Sequence, residues 1–306
     1  MSTGVALIFP GQGSQHVGML ASETFGDDLD RLIDAAEALS GLPLRLLAAS
    51  GTPEQIADTR VAQPLLYLAD WAAGRRALDH GIAPTAVAGH SLGEYAALAI
   101  AGVFSVEAGL ELVVERSVLM ADAAAGAPGG MIAVLGLEST AIVTALEHVD
   151  GAWIANDNCP GQVVVSGTPG GLEAAAEALS TAAARRIVPL AVAGPFHSPL
   201  MEPAALRFAA VLAQAQFSDA HLPVLQNTDP SPTTSASQIR ARLAAQIVSP
   251  VRWTETMASL QTMGVSVLLE CGPGAVLTGL ARRIGGLAAF AIEQTDVQKL
   301  SAEVGS

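Results

Sequence analysis

The chain has 306 residues, of which 51% are apolar, 4% aromatic and 14% charged, enough for a large domain and a smaller one with an Ala/Val/Leu-packed core. Its formal net charge of −14 disfavours nucleic-acid binding, which needs a basic face. No apolar run reaches the ~18 residues of a membrane span, which excludes a helical membrane protein.

The first residues, Met1-Ser2-Thr3-Gly4, lack a basic leader, so no signal peptide is expected. The two cysteines, Cys159 and Cys271, form no disulfide framework and have no metal-ligand spacing. The expectation is a cytoplasmic protein with no metal and no bound cofactor. Local Arg pairs at Arg75-Arg76, Arg185-Arg186 and Arg282-Arg283 are solvated surface or docking sites for an acidic partner.

Residues 5–9 read as a short apolar strand, and Pro10-Gly11-Gln12-Gly13-Ser14-Gln15 as the loop that ends it. Glycines on both sides of Gln12 let a ligand come close to the backbone, and Gln12 can donate to an oxyanion. No Gly-Lys-Ser/Thr follows, so the loop is not a nucleotide-binding P-loop. Residues 27–40 read as an amphipathic helix stopped by Gly41-Leu42-Pro43. Gly51-Thr52-Pro53-Glu54 opens a short helix, and Gln63-Pro64 starts a long apolar one running to Leu78.

The stretch Gly89-His90-Ser91-Leu92-Gly93-Glu94-Tyr95 joins an apolar strand (85–88) to a helix (92–101). Such a GxSxG turn puts Ser91 at the tip of a strained bend, beside a helix N-terminus where the Leu92 amide can serve a developing oxyanion. Ser91 is therefore either a nucleophile or the N-cap of an ordinary Gly-rich turn. Ser105 caps the next helix, with Glu107 in its first turn. On that helix Arg116 has apolar neighbours three and four residues away, Leu112, Val113, Leu119 and Met120, and so sits on the core face. A buried guanidinium needs a protein carboxylate or an anionic ligand, unless it snorkels to the surface.

From Gly126 to about residue 193 the pattern is strand (131–137), helix (139–149), strand (152–156), strand (162–166), helix (170–184) and strand (186–192). That β-α-β-β-α-β order is ferredoxin-like. It predicts a small domain at 126–193 inserted in a large α/β domain made of 1–125 and 194–306. Asn156 and Asn158 lie near its hairpin, where an Asx turn is the plain reading. His197 stands in a Gly/Pro-bounded loop before a helix (199–214), at the domain crevice where sites are found. Residues 224–225 read as a strand, 236–248 as a helix carrying Gln246, 251–263 as a helix, and 265–269 as a strand ended by Gly272-Pro273-Gly274. One more helix and strand follow, then a polar tail from Gln294 expected to be poorly ordered.

Together these residues resemble the malonyl-CoA:acyl carrier protein transacylases of fatty acid synthesis and the similar acyltransferase domains of polyketide synthases. The resemblance covers roughly residues 5–285. It rests on Phe9 to Gln15, Gly89 to Tyr95, Arg116, Asn158-Cys159-Pro160-Gly161-Gln162, Phe196-His197-Ser198, Gln246 with Ser249-Pro250-Val251-Arg252-Trp253, and Gly272-Pro273-Gly274. It implies an α/β-hydrolase-like large domain and a Ser-His dyad. Ser91 would attack the malonyl thioester of coenzyme A, and His197, oriented by the backbone carbonyl of Gln246, would act as base. Gln12 (through its backbone) and Leu92 would form the oxyanion hole, and Arg116 would hold the free malonyl carboxylate. His90, Asn158 and Phe196 would lie near the acyl group. A holo acyl carrier protein would then collect the group, with Arg185 and Arg186 as its docking site. Gly194-Pro195 replaces the His-Ala often found before Phe-His in malonyl-selective relatives, whereas Phe196 and Leu92 fit malonyl. The nearest alternatives are an acyl-carrier-protein acyl hydrolase and a polyketide trans-acting acyltransferase of the same fold. A carboxylesterase lacks support, since neither an HGGG-type loop nor a clear triad acid is present. A non-catalytic carrier-binding module is the reading from a different class.

Overall fold

The computed structural model describes residues 4–21 and 26–304. The chain begins β1 (Gly4–Phe9), α1 (Gly26–Ser40), α2 (Leu44–Ser50), α3 (Pro53–Ala57), α4 (Thr59–Asp79), β2 (Ala86–Gly89), α5 (Gly93–Ile100) and α6 (Val106–Gly126). It continues β3 (Gly130–Leu135), α7 (Ser139–Leu146), β4 (Ala152–Cys159), β5 (Gln162–Gly167), α8 (Pro169–Thr181) and β6 (Arg186–Pro189). After a 3-10 turn (Pro199–Met201) come α9 (Glu202–Gln214), β7 (Val224–Leu225), α10 (Ala236–Ala245), a 3-10 turn (Gln246–Val248), β8 (Val251–Arg252) and α11 (Trp253–Thr262). The chain then runs β9 (Val265–Glu270), α12 (Val276–Ile284), β10 (Ala288–Ala291), a 3-10 turn (Ile292–Gln294) and α13 (Val297–Val304).

The first sheet has the order β10-β9-β1-β2-β7, and every neighbouring pair is parallel. Its centre, β1, pairs Leu7 with Val87 on one side and Leu269 on the other. Residues Val5 to Phe9 are buried on both faces, as the continuous apolar run of a parallel strand requires. Because the strands are parallel, the segments after β1, β2, β7 and β9 all emerge at one edge. Those segments carry Gln12, Ser91, Asn227 and Gly272. A crevice outside the carboxyl ends of the strands is where open α/β sheets bind ligands.

The second sheet has the order β6-β3-β5-β4-β8. Its period-two alternation divides the labour between two faces. Ile132, Val134, Val163 and Val165 pack beneath α7 and α8 with Ile142, Ala175 and Leu179. Met131, Ala133 and Val164 turn the other way and line the crevice.

The structure departs from the sequence expectations in several places. Residues 44–50 form a helix where only a Pro43 stop was expected, because Pro43 occupies its N-cap. The long apolar helix starts at Thr59, capped by the Asp58 side chain, so Pro64 lies inside it and not at its start. Asn156 and Asn158 belong to β4 and not to a turn; the reversal is confined to Pro160-Gly161, with Gly161 at φ +74°. Residues 251–252 are a strand and not helix, since Asn156 and Asp157 of β4 pair with them in parallel. The second sheet thus borrows a strand from outside 126–193. The tail from Gln294 ends in α13, which buries Val297 and Leu300 against the main core. No helix among the described residues is long and apolar enough to cross a membrane.

Candidate active site

Between the two sheets lies a cavity of about 360 Å³, lined among others by Gln12, His90, Ser91, Leu92, Arg116 and His197. The elbow that presents Ser91 exists because two positions accept only glycine. A Cβ on Gly89 would stand 2.0 Å from the Gly93 carbonyl carbon, and one on Gly93 would stand 2.1 Å from the Phe9 carbonyl oxygen. Ser91 itself sits at φ +50°, and His197 at φ +57°. Left-handed conformations are costly for residues with a Cβ and collect where function requires them.

Ser91 Oγ lies 2.8 Å from His197 Nε2. On the far side of the ring, Nδ1 faces the carbonyls of Gln246 and Ser249, each at 3.1 Å. Both carbonyls only accept, so the proton resides on Nδ1 and Nε2 is left to accept from Ser91. Burial, aided by the charge of Arg116 and by His90, pushes the His197 pKa down to about 3. The ring is therefore a neutral base at physiological pH.

Arg116 is 1% exposed. Its Nη1 donates to Gln63 Oε1 at 2.7 Å, and its Nη2 donates to Gln246 Oε1 at 3.0 Å and to Ser91 Oγ at 3.2 Å. The guanidinium lies over the Tyr95 ring at 5.4 Å. Among the described residues no carboxylate comes within ion-pair distance, and the buried Nε has no partner. Burial presses its pKa below the ordinary value, while Tyr95 and Glu94 work in the opposite direction. A desolvated cation that meets only neutral partners beside a serine hydroxyl suits an arriving anion.

The side chain of Gln12 donates to Ala57 O at 3.2 Å and Thr59 Oγ1 at 3.4 Å. Those acceptors are the last residue of α3 and the first of α4. The side chain anchors the loop to the junction of α3 and α4. His90 Nε2 contacts Asn158 Oδ1 at 2.9 Å, and the ring stands edge-on to Trp253 at 5.4 Å. Phe196 lines the cavity, and its carbonyl accepts from Ser166 Oγ at 2.5 Å, which ties the His197 loop to the second sheet. The structure thus gathers Gln12, His90, Ser91, Leu92, Arg116, Asn158, Phe196, His197 and Gln246. It does not bring Arg185 and Arg186 to the cavity; both are exposed at the edge strand β6.

Four residues that sequence reasoning missed are Gln63, Glu94, Asn227 and Ser249. A signal existed for Gln63, the one amide in the apolar run 61–68 of α4, buried at 1% exposure. Glu94 lies inside the elbow motif, in the first turn of α5, and was given no role of its own. Its carboxylate is fully buried.

Residues 6–288 match the family described as the acyl transferase domain. The chain belongs to that family. A malonyl CoA-acyl carrier protein transacylase of Synechocystis sp. is 42% identical over 278 residues, covering 91% of this chain and 92% of the relative. One from Bacillus subtilis is 38% identical over 286 residues, 92% of this chain and 90% of the relative. Among solved structures, a malonyl-transacylase in complex with its holo type II polyketide synthase acyl-carrier protein superposes with a TM-score of 0.91 at 39% identity, covering 98% of this chain and 99% of its own. The family resemblance read from the sequence blocks is borne out, and so is an α/β fold on a parallel-sheet core.

Proposed function

We propose that this acyl transferase is a malonyl-CoA:acyl carrier protein S-malonyltransferase working through malonyl-Ser91. His197 Nε2 takes the Ser91 proton as Oγ attacks the thioester carbonyl. The tetrahedral oxyanion is received by the backbone amides of Gln12 and Leu92; losing one such donor costs roughly 10²–10³ in rate. The C–S bond breaks, and the imidazolium returns its proton to the departing coenzyme A thiol. The phosphopantetheine thiol of a holo carrier then gives its proton to His197 and attacks malonyl-Ser91, which regenerates the serine. Kinetics are ping-pong, and no resident metal or cofactor is needed.

The observation that carries this reading is Arg116, a buried cation 3.2 Å from the nucleophile with no carboxylate against it among the described residues. Arg116 takes the free malonyl carboxylate, while His90, Asn158 and Phe196 border the acyl group. The names of the relatives and the carrier-bound neighbour point to the same donor and acceptor. Residues 1–125 and 194–306 form an α/β-hydrolase-like domain, and 126–193 a ferredoxin-like insert. The β6-β3-β5-β4 order and the α7/α8 layer support that division. Arg185 and Arg186, exposed on β6, dock the acidic carrier.

Intact-mass spectrometry after malonyl-CoA addition tests the proposal. Wild type gains one malonyl group, and Ser91→Ala gains none. An unmodified wild type, or an equally modified Ser91→Ala, overturns it.

A further inference from the structure

Asn227 follows β7, is 1% exposed, and is not among the residues that line the cavity. Its side chain nevertheless reaches the elbow from behind. Nδ2 donates to the Gly89 carbonyl at 2.6 Å, and Oδ1 accepts from the Ser91 amide at 2.7 Å. A carbonyl only accepts and an amide N–H only donates, so the orientation of the carboxamide is fixed. One planar group therefore bridges the two residues that flank His90.

Asn227 is itself held. Its backbone N–H donates to Glu94 Oε2 at 3.1 Å, and the same carboxylate receives Gln226 Nε2 at 2.7 Å and Gln246 Nε2 at 2.9 Å. Gln246 Nε2 also donates to the Ser91 carbonyl at 2.9 Å. The Gln246 side-chain oxygen receives Arg116, and its backbone carbonyl faces His197. One buried carboxylate so joins the strut behind the nucleophile to the groups that hold the base and the cation.

We infer that Asn227, seated by Glu94, is a positioning residue that fixes Ser91 in its left-handed conformation and occupies the Ser91 amide, leaving the oxyanion to the amides of Leu92 and Gln12. The strut opposes relaxation of a backbone conformation that a residue with a Cβ adopts only under constraint. A nucleophile displaced by about 1 Å loses on the order of 100-fold in rate. The inference rests on the transfer reading for its substrate, but not for its geometry.

Asn227→Asp is the decisive variant because it is isosteric. One oxygen still accepts from the Ser91 amide. The other faces the Gly89 carbonyl and can bond to it only while protonated. The ionisable groups around the site are Glu94 and Tyr95 on α5, Arg116 on α6, His90 in the elbow, His197 in its loop and Arg252 on β8, whose backbone N–H donates to the Asn227 carbonyl at 3.2 Å. The nearest is Glu94, whose oxygens accept from three N–H donors; burial beside that carboxyl raises the new one above the ordinary carboxylate range. N227D is expected to acylate near the wild-type rate at low pH. Its kcat should fall on the order of 100-fold as pH rises, with KM for malonyl-CoA little changed because Asn227 does not touch the cavity. Asn227→Ala should show the same loss without the pH limb. A fluorophosphonate reports Ser91 reactivity without malonyl-CoA and should give the same pattern. If wild type reacts with the fluorophosphonate but ignores malonyl-CoA, the transfer reading fails and the strut is judged on phosphonylation alone. A wild-type rate and pH profile in N227D, or a loss that sits in KM, overturns the inference.

Discussion

Replacing Arg116 by Ala separates a substrate clamp from a structural cation. Three of the five N–H donors of the guanidinium are taken by Gln63, Gln246 and Ser91, so two remain for a ligand carboxylate. Hydrogen bonds to charged groups contribute about 1.5–3 kcal/mol each. Removing one partner of a buried ion pair costs about 3–5 kcal/mol. Arg116→Ala should therefore lower kcat/KM for Ser91 acylation by malonyl-CoA about 10²–10³-fold, at about 1.4 kcal/mol per decade. Acetyl-CoA brings no carboxylate and in wild type must leave a desolvated cation unmatched. Its transfer should hold or rise in the variant. The assay is quench-flow with intact-mass detection of the acyl-enzyme, run with both thioesters on protein whose melting confirms folding. Equal loss for malonyl and acetyl would show that Arg116 serves only the packing of α6 against α4, and the clamp would be abandoned.

His197 predicts a pH-dependent stability. Its folded pKa of about 3 lies below the unfolded value of about 6.5, so between those limits only the unfolded state binds the proton. Stability contributed by the neutral ring is complete above about pH 6.5 and drains away as pH falls toward 3, by about 2 kcal/mol at pH 5. Urea titrations of wild type and His197→Gln at pH 7.5 and 5 should show this as a difference between the two proteins, which cancels the buried carboxyls; parallel pH profiles would contradict it. Gly93→Ala must push a Cβ into the Phe9 carbonyl at 2.1 Å, and should destabilise by about 3 kcal/mol or more in thermal melts, whereas an unchanged Tm would mean the elbow is not rigid. Arg185→Glu with Arg186→Glu should slow transfer to the carrier in a salt-dependent way and leave acylation by malonyl-CoA unaltered; an unchanged transfer rate removes β6 as the docking edge.

The site was legible where chemistry is local. Gly89, Ser91 and Gly93 announce the elbow because close approach and a left-handed tip demand particular residues at fixed spacing. Arg116 was legible because helical periodicity placed a charge on an apolar face. The Gln246 carbonyl was not, since a backbone oxygen carries no local signature and only the family resemblance singled it out; His197 drew notice from its place at the predicted crevice, and its role as base came only from the resemblance. Gln63, Asn227 and Ser249 stayed hidden because their roles depend on contacts across long sequence separations, such as the Ser91–Asn227 bond. In the fold, the β-α-β-β-α-β order of residues 126–193 was readable, but which faces Ile132 and Val134 or Met131 and Ala133 take was not, since the run is apolar throughout. The two-residue β8 was not, since it is a strand only by virtue of its partner β4. Pro43 ended the first helix as read but also caps a further helix, 44–50, that was not read, and Pro64 sits within a helix that was read as starting there.

The central claim is that malonyl-Ser91 is held for a thiol and withheld from water. The direct measurement is a chase: isolate the malonyl-enzyme, add holo acyl carrier protein or buffer alone, and follow both proteins by intact mass. The account predicts that the malonyl group moves to the carrier within seconds to minutes and persists on the enzyme in buffer far longer. Rapid loss to water in both arms, with no malonyl-carrier formed, would contradict it and make this chain a hydrolase.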